Sequence, residues 1–162
     1  MRSKLFRMIL LLMALPLTLA AQDFINLTPM PSTLVKGTGS LTLTADYKVG
    51  YAADLSADMQ QEVAKFVAAV NHATGYSGTA AAGATDALIT VVYDGTQPDE
   101  GYRLTVSATK AEVKAKTPVG LYYAFQTIKK VLPANVMAAV RDASVTTYAI
   151  PAMTVIDKPR FG

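Results

Sequence analysis

The chain of 162 residues contains no cysteine, no tryptophan and a single histidine. Without cysteine it can form neither a disulfide framework nor a thiolate metal site. The one histidine, His72, cannot build a histidine cluster around a metal, and its position near the end of a predicted helix is typical of a surface histidine. We therefore predict no metal site and no cofactor site.

Long hydrophobic runs are also scarce, and the main one lies at the start of the chain. It extends from Met8 to Leu19, follows a basic start and precedes the small residues Ala20 and Ala21. This pattern predicts a secretory signal peptide over residues 1–21, cleaved after Ala20 or Ala21. The run is shorter than the roughly 20 residues that span a bilayer, although a retained membrane anchor is the alternative. We expect an exported protein, in a bacterial periplasm or outside the cell, with no membrane attachment after cleavage.

The mature part of the chain has no excess of either charge. Three of the 15 basic residues lie in the predicted leader, which leaves 12 basic against 12 acidic residues. The high isoelectric point therefore comes from the leader and does not indicate a nucleic-acid partner.

Motifs of catalysis are missing as well. The sequence contains no GxSxG elbow, no P-loop and no GxGxxG. Asp99 and Glu100 are the only adjacent carboxylates, and neighbours on a turn point in different directions, so we interpret them as solvated loop residues. We predict no catalytic residue in this chain.

Two amphipathic helices are predicted. The first begins near Ser56 or Asp58, which can cap it, and ends at Gly75. The second has Thr117 as its N-cap, Pro118 at the first helical position, and ends at Pro133. Their apolar residues recur at helical spacing. They are Met59, Val63, Phe66, Val67 and Val70 in the first helix, and Leu121, Phe125, Ile128 and Leu132 in the second.

Six strands are predicted around these helices from alternation and from one apolar run. They are Leu41–Thr44, Tyr47–Tyr51, the buried run Ala87–Tyr93, Tyr102–Ser107, Ala111–Lys116, and a final strand from Ile150. Residues 22–40 and 77–86 are expected to be irregular, and 134–149 a mixed connector. The short turn between the fourth and fifth strands predicts an antiparallel hairpin. The fold class is α+β: a two-layer sandwich with a mostly antiparallel sheet and two helices on one face.

Two tyrosines of the second helix allow a second interpretation. Tyr122 and Tyr123 could offer rings on which a sugar stacks. Because they adjoin the apolar face of the helix, we interpret them as core residues. Lys129 and Lys130 are expected on the exposed side of the same helix.

The stretch from Asp99 to Pro133 resembles a known family. It contains Glu100-Gly101-Tyr102 with Leu104 and Val106, then Val113 and Ala115, then Gly120 to Tyr123 with Gln126-Thr127-Ile128. Ile150-Pro151, Ile156-Asp157 and Pro159-Arg160-Phe161 resemble the closing segment of that family, and the opening resembles it at Leu27, Pro29, Pro31 and Gly39 to Leu43. In this order the motifs are similar to the small N-terminal domain of glycoside hydrolase family 20, the β-N-acetylhexosaminidases. Related small domains precede the barrels of other glycosidases, but the D-x-P-R-F ending favours family 20.

The resemblance implies a domain plan and a division of labour. It implies a leader at 1–21, the α+β domain at 22–149, and a junction strand at 150–162 that leads to a (β/α)8 catalytic barrel. Members of the family remove terminal N-acetylglucosamine or N-acetylgalactosamine with retention, using the acetamido group of the substrate and an Asp-Glu pair on the barrel. All of these catalytic positions would follow Gly162, so Arg160 is given a structural role at the junction.

Two functional hypotheses follow. In the first, the chain is the non-catalytic N-terminal domain of an exported β-N-acetylhexosaminidase and braces the barrel of the same polypeptide. The glycan substrate then binds only to the parent enzyme. In the second, it is a free-standing carbohydrate-binding or envelope interaction module. A bracing domain must bury surface against its partner, so the first hypothesis predicts an exposed apolar patch.

Overall fold

The computed structural model describes residue 25 and residues 27–158. The predicted leader and the predicted junction residues 159–162 lie outside this part. Within it, the chain forms seven strands and three helices. In chain order they are β1 (Thr33–Thr42), β2 (Lys48–Tyr51), α1 (Ala57–Thr74), β3 (Thr79–Ala82), β4 (Ile89–Tyr93), β5 (Tyr102–Val106), β6 (Ala111–Ala115), α2 (Pro118–Val131), α3 (Ala134–Met137) and β7 (Ala149–Asp157).

All seven strands belong to one sheet, in the order β1-β7-β5-β6-β4-β2-β3. Strand β5 pairs antiparallel with β6 and with β7, and β7 pairs antiparallel with β1. On the other side, β4 is parallel to β6 and to β2, and β2 is parallel to β3. The antiparallel ladders hold the larger share of the paired residues, and the predicted β5–β6 hairpin is confirmed.

Helix α1 forms where the capping residues predict it. The Ser56 side chain accepts a hydrogen bond from the Met59 backbone N–H at 3.4 Å, so Ser56 rather than Asp58 is the N-cap. Gly75 ends the helix with φ of 73°, a left-handed conformation that glycine adopts without a steric penalty.

Helix α2 begins at the predicted cap. The Thr117 hydroxyl accepts a hydrogen bond from the Gly120 backbone N–H at 3.2 Å, and Pro118 occupies the first turn. Gly120 faces the backbone carbonyl of Gly101, and a Cβ at this position would collide with that oxygen. The first turn of α2 therefore lies directly against the segment that precedes β5.

The core lies between the two long helices and one face of the sheet. The rings of Phe66 on α1 and Phe125 on α2 are stacked, with centroids 4.2 Å apart and planes 9° from parallel. Both helices rest on buried side chains from every strand except β3. These include Leu41, Val49, Ile89, Val91, Leu104, Val113, Ile150 and Val155. The predicted α+β two-layer sandwich, with helices on one face, is confirmed.

Two local predictions were wrong. Strand β1 begins at Thr33, inside the stretch predicted to be irregular, and its register shifts between Lys36 and Ser40. Strand β3 lies inside the predicted loop 77–86. The mixed connector predicted for residues 134–149 contains the short helix α3.

Candidate functional site

The residues that the sequence singled out as possible ligands or acid/base groups, His72 and the Asp99–Glu100 pair, lie on different elements of the fold. His72 is exposed in the last turn of α1, as predicted. Within residues 25 and 27–158, no group of three or more histidine, aspartate or glutamate side chains could hold a metal ion. In the same part of the chain, no helix is both long and apolar enough to cross a membrane.

The carboxylates of Asp99 and Glu100 have different surroundings. Asp99 pairs with the Lys116 ammonium, with an Oδ1–Nζ distance of 2.7 Å, and this contact raises the pKa of the lysine. Glu100 lies at the edge of a groove. In the described part of the chain, its carboxylate has no hydrogen-bond or ion-pair partner, so Asp99 and Glu100 share no such partner there.

Tyr122 and Tyr123 are not core residues, which corrects the interpretation from sequence. Their exposed fractions are 46% and 41%. The two rings meet edge to face, with centroids 5.6 Å apart. Adjacency to the apolar helix face was misleading because the buried face of α2 is narrower than its apolar surface: Leu121, Ala124, Phe125 and Ile128 already fill it.

Together with Val119, which is 45% exposed, these tyrosines form what we call the α2 patch. Val119, Tyr122 and Tyr123 follow one another at spacings of three and one, so they lie on one face of the helix. The same face continues to Gln126 and Lys130. Exposed large apolar side chains on contiguous positions are the usual mark of a surface that contacts another protein.

A groove of about 500 Å³ continues from the α2 patch. We call it the exit groove, because it lies between the segment before β1, the outer face of α2, and the end of β7. Its lining consists of Leu27, Pro29, Met30, Pro31, Glu100, Tyr102, Tyr123, Gln126, Thr127, Lys130, Asp157 and Lys158. Sequence analysis did not find this groove, since its residues come from four separate stretches of the chain.

Hydrogen bonds across the groove hold its walls together. Asp157 Oδ1 accepts from the backbone N–H and the hydroxyl of Ser32, at 3.0 and 3.1 Å. The Lys130 ammonium donates to the Thr28 carbonyl at 2.9 Å. The segment before β1 is thus fastened both to β7 and to α2, and both lysine and carboxylate are already engaged within the domain.

The floor of the groove includes one buried polar pair. The hydroxyls of Tyr102 and Thr127 lie 2.6 Å apart, and both residues are buried. Burial raises the pKa of Tyr102, opposed by the hydrogen bond with Thr127. The phenol therefore stays protonated at neutral pH and acts as a hydrogen-bonding group rather than as a base.

Gln126 and Glu100 complete the polar part of the lining. Neither side chain hydrogen-bonds another residue of the described chain, whereas Tyr102, Thr127, Lys130 and Asp157 do. The exit groove thus combines an apolar surface with an unpaired carboxylate and a free amide. Such a lining can pack against and hydrogen-bond a neighbouring molecule, and among the described lining residues no nucleophile has a neighbouring base.

Comparison with known proteins agrees with the family resemblance found in the sequence. The sequence model of a family described as glycosyl hydrolase family 20, domain 2, matches residues 25–158. No functionally curated protein matches the chain in sequence.

Solved structures share the fold. An N-acetyl-β-hexosaminidase from Streptomyces plicatus is 21% identical, with a TM-score of 0.72, over 82% of this chain and 26% of that one. A β-N-acetylhexosaminidase from Streptomyces coelicolor is 22% identical with a TM-score of 0.71, again over 82% and 26%. A Bacteroides fragilis β-N-acetylhexosaminidase is 19% identical with a TM-score of 0.64, over 85% and 25%. The chain therefore spans about a quarter of the length of these enzymes.

Proposed function

Because the chain belongs to the domain 2 family of glycosyl hydrolase family 20, we propose that it is the N-terminal accessory domain of an exported β-N-acetylhexosaminidase. The parent enzyme would remove terminal N-acetylglucosamine or N-acetylgalactosamine from glycans. The observation that carries this proposal is the family match over residues 25–158, which is nearly the whole mature chain.

The role proposed for the domain itself is to brace the catalytic barrel. Support comes from the α2 patch, where three large side chains remain exposed on one helix face. Each aromatic side chain contributes on the order of 150–250 Å² of contact surface when it is fully covered. Covering the patch with a neighbouring domain would remove this apolar area from water and would fix the two domains relative to each other.

Catalysis is assigned to the barrel and not to this chain. The described residues that line the exit groove offer hydrogen-bonding and charged groups, and the buried Tyr102 among them stays protonated. In a substrate-assisted glycosidase the general acid/base and the residue that orients the acetamido group must both contact the sugar. We propose that both belong to the barrel of the same polypeptide.

The test uses a longer polypeptide in which the barrel follows residue 162. Val119→Ser combined with Tyr122→Ser should lower its thermal stability and its turnover of an aryl N-acetylglucosaminide, because the covered patch becomes polar. The matched control is Ile156→Ser, at an apolar side chain that is 37% exposed on the other face of the sheet. Equal effects of the patch and control variants would contradict bracing through α2.

The chain alone provides the complementary measurement. Residues 22–162 should release no chromophore from the same aryl substrate above a blank without protein. Turnover by this chain would overturn the assignment of catalysis to the barrel. Failure to find a barrel in the reading frame beyond Gly162 of an intact genome would overturn the accessory role.

Export is proposed on the signal-like sequence of residues 1–21. Expression of the gene in a Gram-negative host, followed by fractionation, should place the protein in the periplasm or the medium. N-terminal sequencing should then begin at Ala21 or Gln22. A product that retains Met1 in the cytoplasmic fraction would contradict export.

One observation favours a second candidate, a carbohydrate-binding module. The exposed Tyr122–Tyr123 pair is a surface on which a sugar ring could stack. Under this candidate, the isolated chain should bind chitin oligosaccharides, and Tyr122→Ala should abolish binding. Under the bracing proposal, the isolated chain should bind none.

A further inference from the structure

We propose that Asp94 and Gly95 form a latent site of aspartate isomerisation, which hydrogen bonds from Thr96 and Gln97 keep closed while the chain is folded. In this covalent modification the backbone nitrogen of Gly95 attacks the side-chain carboxyl carbon of Asp94. The new C–N bond replaces a C–O bond, and the oxygen leaves as water with the proton of the amide. A five-membered succinimide ring results.

Water then opens the ring at one of its two carbonyl carbons. Attack on one side restores aspartate, and attack on the other gives isoaspartate, in which the backbone runs through the former side chain. One water is released and one is consumed, so the modification needs no oxidant, cofactor or second protein.

The first argument is the residue that follows the aspartate. Gly95 has no side chain, so its nitrogen can approach the Asp94 carboxyl group with the least steric hindrance. The sequence contains this one Asp-Gly step and no Asn-Gly step. Directly after strand β4, Asp94 is half-buried and Gly95 is exposed to water. The attacking group and the water that opens the ring are therefore both present.

The second argument is the set of hydrogen bonds on the carboxylate. Asp94 Oδ1 accepts from the backbone N–H of Thr96 at 3.0 Å and from its hydroxyl at 2.6 Å. Oδ2 accepts from the Gln97 side-chain amide at 2.9 Å. Both oxygens are thus engaged, in the local pattern that aspartate commonly forms in turns. Ring closure expels one of these oxygens as water, so its hydrogen bonds must break first.

The third argument is the charge on the carboxyl group, because the ring closes on the protonated acid and not on the carboxylate. The hydrogen bonds, that from the Thr96 hydroxyl first, lower the pKa of Asp94 from 3.8 to about 2, and Lys114 on strand β6 adds to this effect. Asp99 and Lys116, at the other end of the loop, pair with each other. At pH 5 the lower pKa reduces the protonated fraction of Asp94 roughly 60-fold.

Isomerisation would alter the structure at this point because it adds one carbon to the backbone. The Asp94 N–H donates to the Ala115 carbonyl at 3.0 Å, which joins the end of β4 to β6. The Asp94 carbonyl, which accepts from the Gln97 N–H at 3.1 Å, would leave the backbone and become the free carboxylate. We therefore expect the isomerised chain to have a lower melting temperature than the unmodified chain.

The experiment compares the folded and the unfolded chain. The full chain is incubated for weeks at about pH 5, once in buffer and once in guanidinium chloride. Trypsin then releases the peptide of residues 66–103, in which isoaspartate changes the chromatographic retention but not the mass. We expect isoaspartate at Asp94 to form at least tenfold faster in guanidinium chloride. Asp86 and Asp99 lie in the same peptide and are internal controls, at which fragmentation should find far less isomer.

Variants test whether the two side chains provide the protection. Thr96→Val combined with Gln97→Ala removes both side-chain donors, so the folded double variant should isomerise several-fold faster than the wild type. In guanidinium chloride the two rates should agree. Ser144→Ala is the matched control, because its hydroxyl holds Asp142 in the same way, at 2.6 Å, in a separate loop. It should leave the rate at Asp94 unchanged. Far-UV circular dichroism checks that each variant is folded.

Three results would overturn the proposal. The first is an equal rate of isomerisation at Asp94 in the folded and the unfolded chain. The second is a folded Thr96→Val, Gln97→Ala variant that isomerises no faster than the wild type. The third is an equal acceleration by Ser144→Ala, which would assign the effect to a general loosening of the fold. The proposal is independent of the accessory role, since none of these measurements involves a barrel or a glycan.

Discussion

Helix α2 and the sheet each turn one side away from the core, and the two sides differ in chemistry. The outer side of α2 presents Val119, Tyr122 and Tyr123. The outer side of the sheet presents Arg103, Glu112 and Lys114 on neighbouring strands, with a Glu112–Lys114 ion pair at 3.1 Å. The outer side of the sheet is mostly polar, with Val35 and Ile156 as exposed apolar exceptions. The outer side of α2 is apolar, which is typical of surfaces that contact another protein.

The difference shows which side of the domain is polar and which side leaves large apolar side chains exposed. A solvated sheet face with alternating polar residues is common in α+β folds and needs no partner. Contiguous aromatic residues on the outside of a helix do need an explanation. The same helix therefore has two apolar faces, one that folds the domain and one that we propose contacts the barrel.

The largest expected effect separates the two faces of α2. Phe125→Ala removes a ring that is 3% exposed and stacked on Phe66, so it should lower the free energy of unfolding by about 3–5 kcal/mol. Tyr122→Ala, three residues away on the outer face, should change it by no more than about 0.5 kcal/mol. Urea denaturation of the chain measures both. Similar losses would mean that the outer face also stabilises the isolated domain.

A smaller effect is expected under the exit groove. Tyr102→Phe leaves the Thr127 hydroxyl without its partner and should cost about 1 kcal/mol in the free energy of unfolding. Adding Thr127→Val removes the second hydroxyl, so the double variant should be no less stable than Tyr102→Phe alone. If the two losses simply add in urea denaturation, the hydroxyl pair does not act as a unit.

A pH-dependent effect is expected at the loop after β4, which borders the sheet face. Asp94 accepts hydrogen bonds from the side chains of Thr96 and Gln97, and these lower its pKa from 3.8 to about 2. Because the folded pKa is the lower one, the stabilisation is present above the unfolded value and is lost as the pH falls to about 2.

The measurement for this loop compares the melting temperatures of the wild type and Asp94→Asn from neutral pH down to about pH 2. The wild type should melt higher at neutral pH, and the difference should shrink as the pH falls from about 4 to about 2. A difference that is constant with pH would show that the carboxylate charge is not what stabilises the loop.

The smallest effect is expected on the sheet face itself. Lys114→Gln breaks an exposed ion pair with Glu112 and should change the free energy of unfolding by no more than about 0.5 kcal/mol. Any loss should fade in high salt, since exposed charges are screened. If Lys114→Gln lowered the free energy of unfolding by more than about 1 kcal/mol at high salt, the ion pair on the sheet face would stabilise the fold more than an exposed pair does.

Much of the fold could be predicted from sequence because its signals are local. The Thr117 hydroxyl at the start of α2 and the left-handed Gly75 at the end of α1 act within one turn. The alternation in β5 and β6 identifies their buried faces directly.

Other strands could not be predicted because they form by pairing with strands that are distant in the sequence. Strand β3, with the sequence Thr-Ala-Ala-Ala, has no strand signal of its own and exists because it pairs with β2 at the sheet edge. Strand β1 contains Gly37, which packs against Ala152 of β7, and Gly39 at φ of 84°. These glycines suggested an irregular segment until the partner strand was known.

For the candidate site, the sequence by itself determined the types of residue and the family that they resemble. The periodicity of α2 placed Phe125 in the core, and the motifs from Glu100 to Pro133 indicated family 20. Only the tertiary structure decided that Tyr122 and Tyr123 are exposed, and that the segment before β1, α2 and the end of β7 enclose a groove. The reason is physical: capping and periodicity act over a few residues, whereas exposure and enclosure depend on which distant surfaces come to lie against each other.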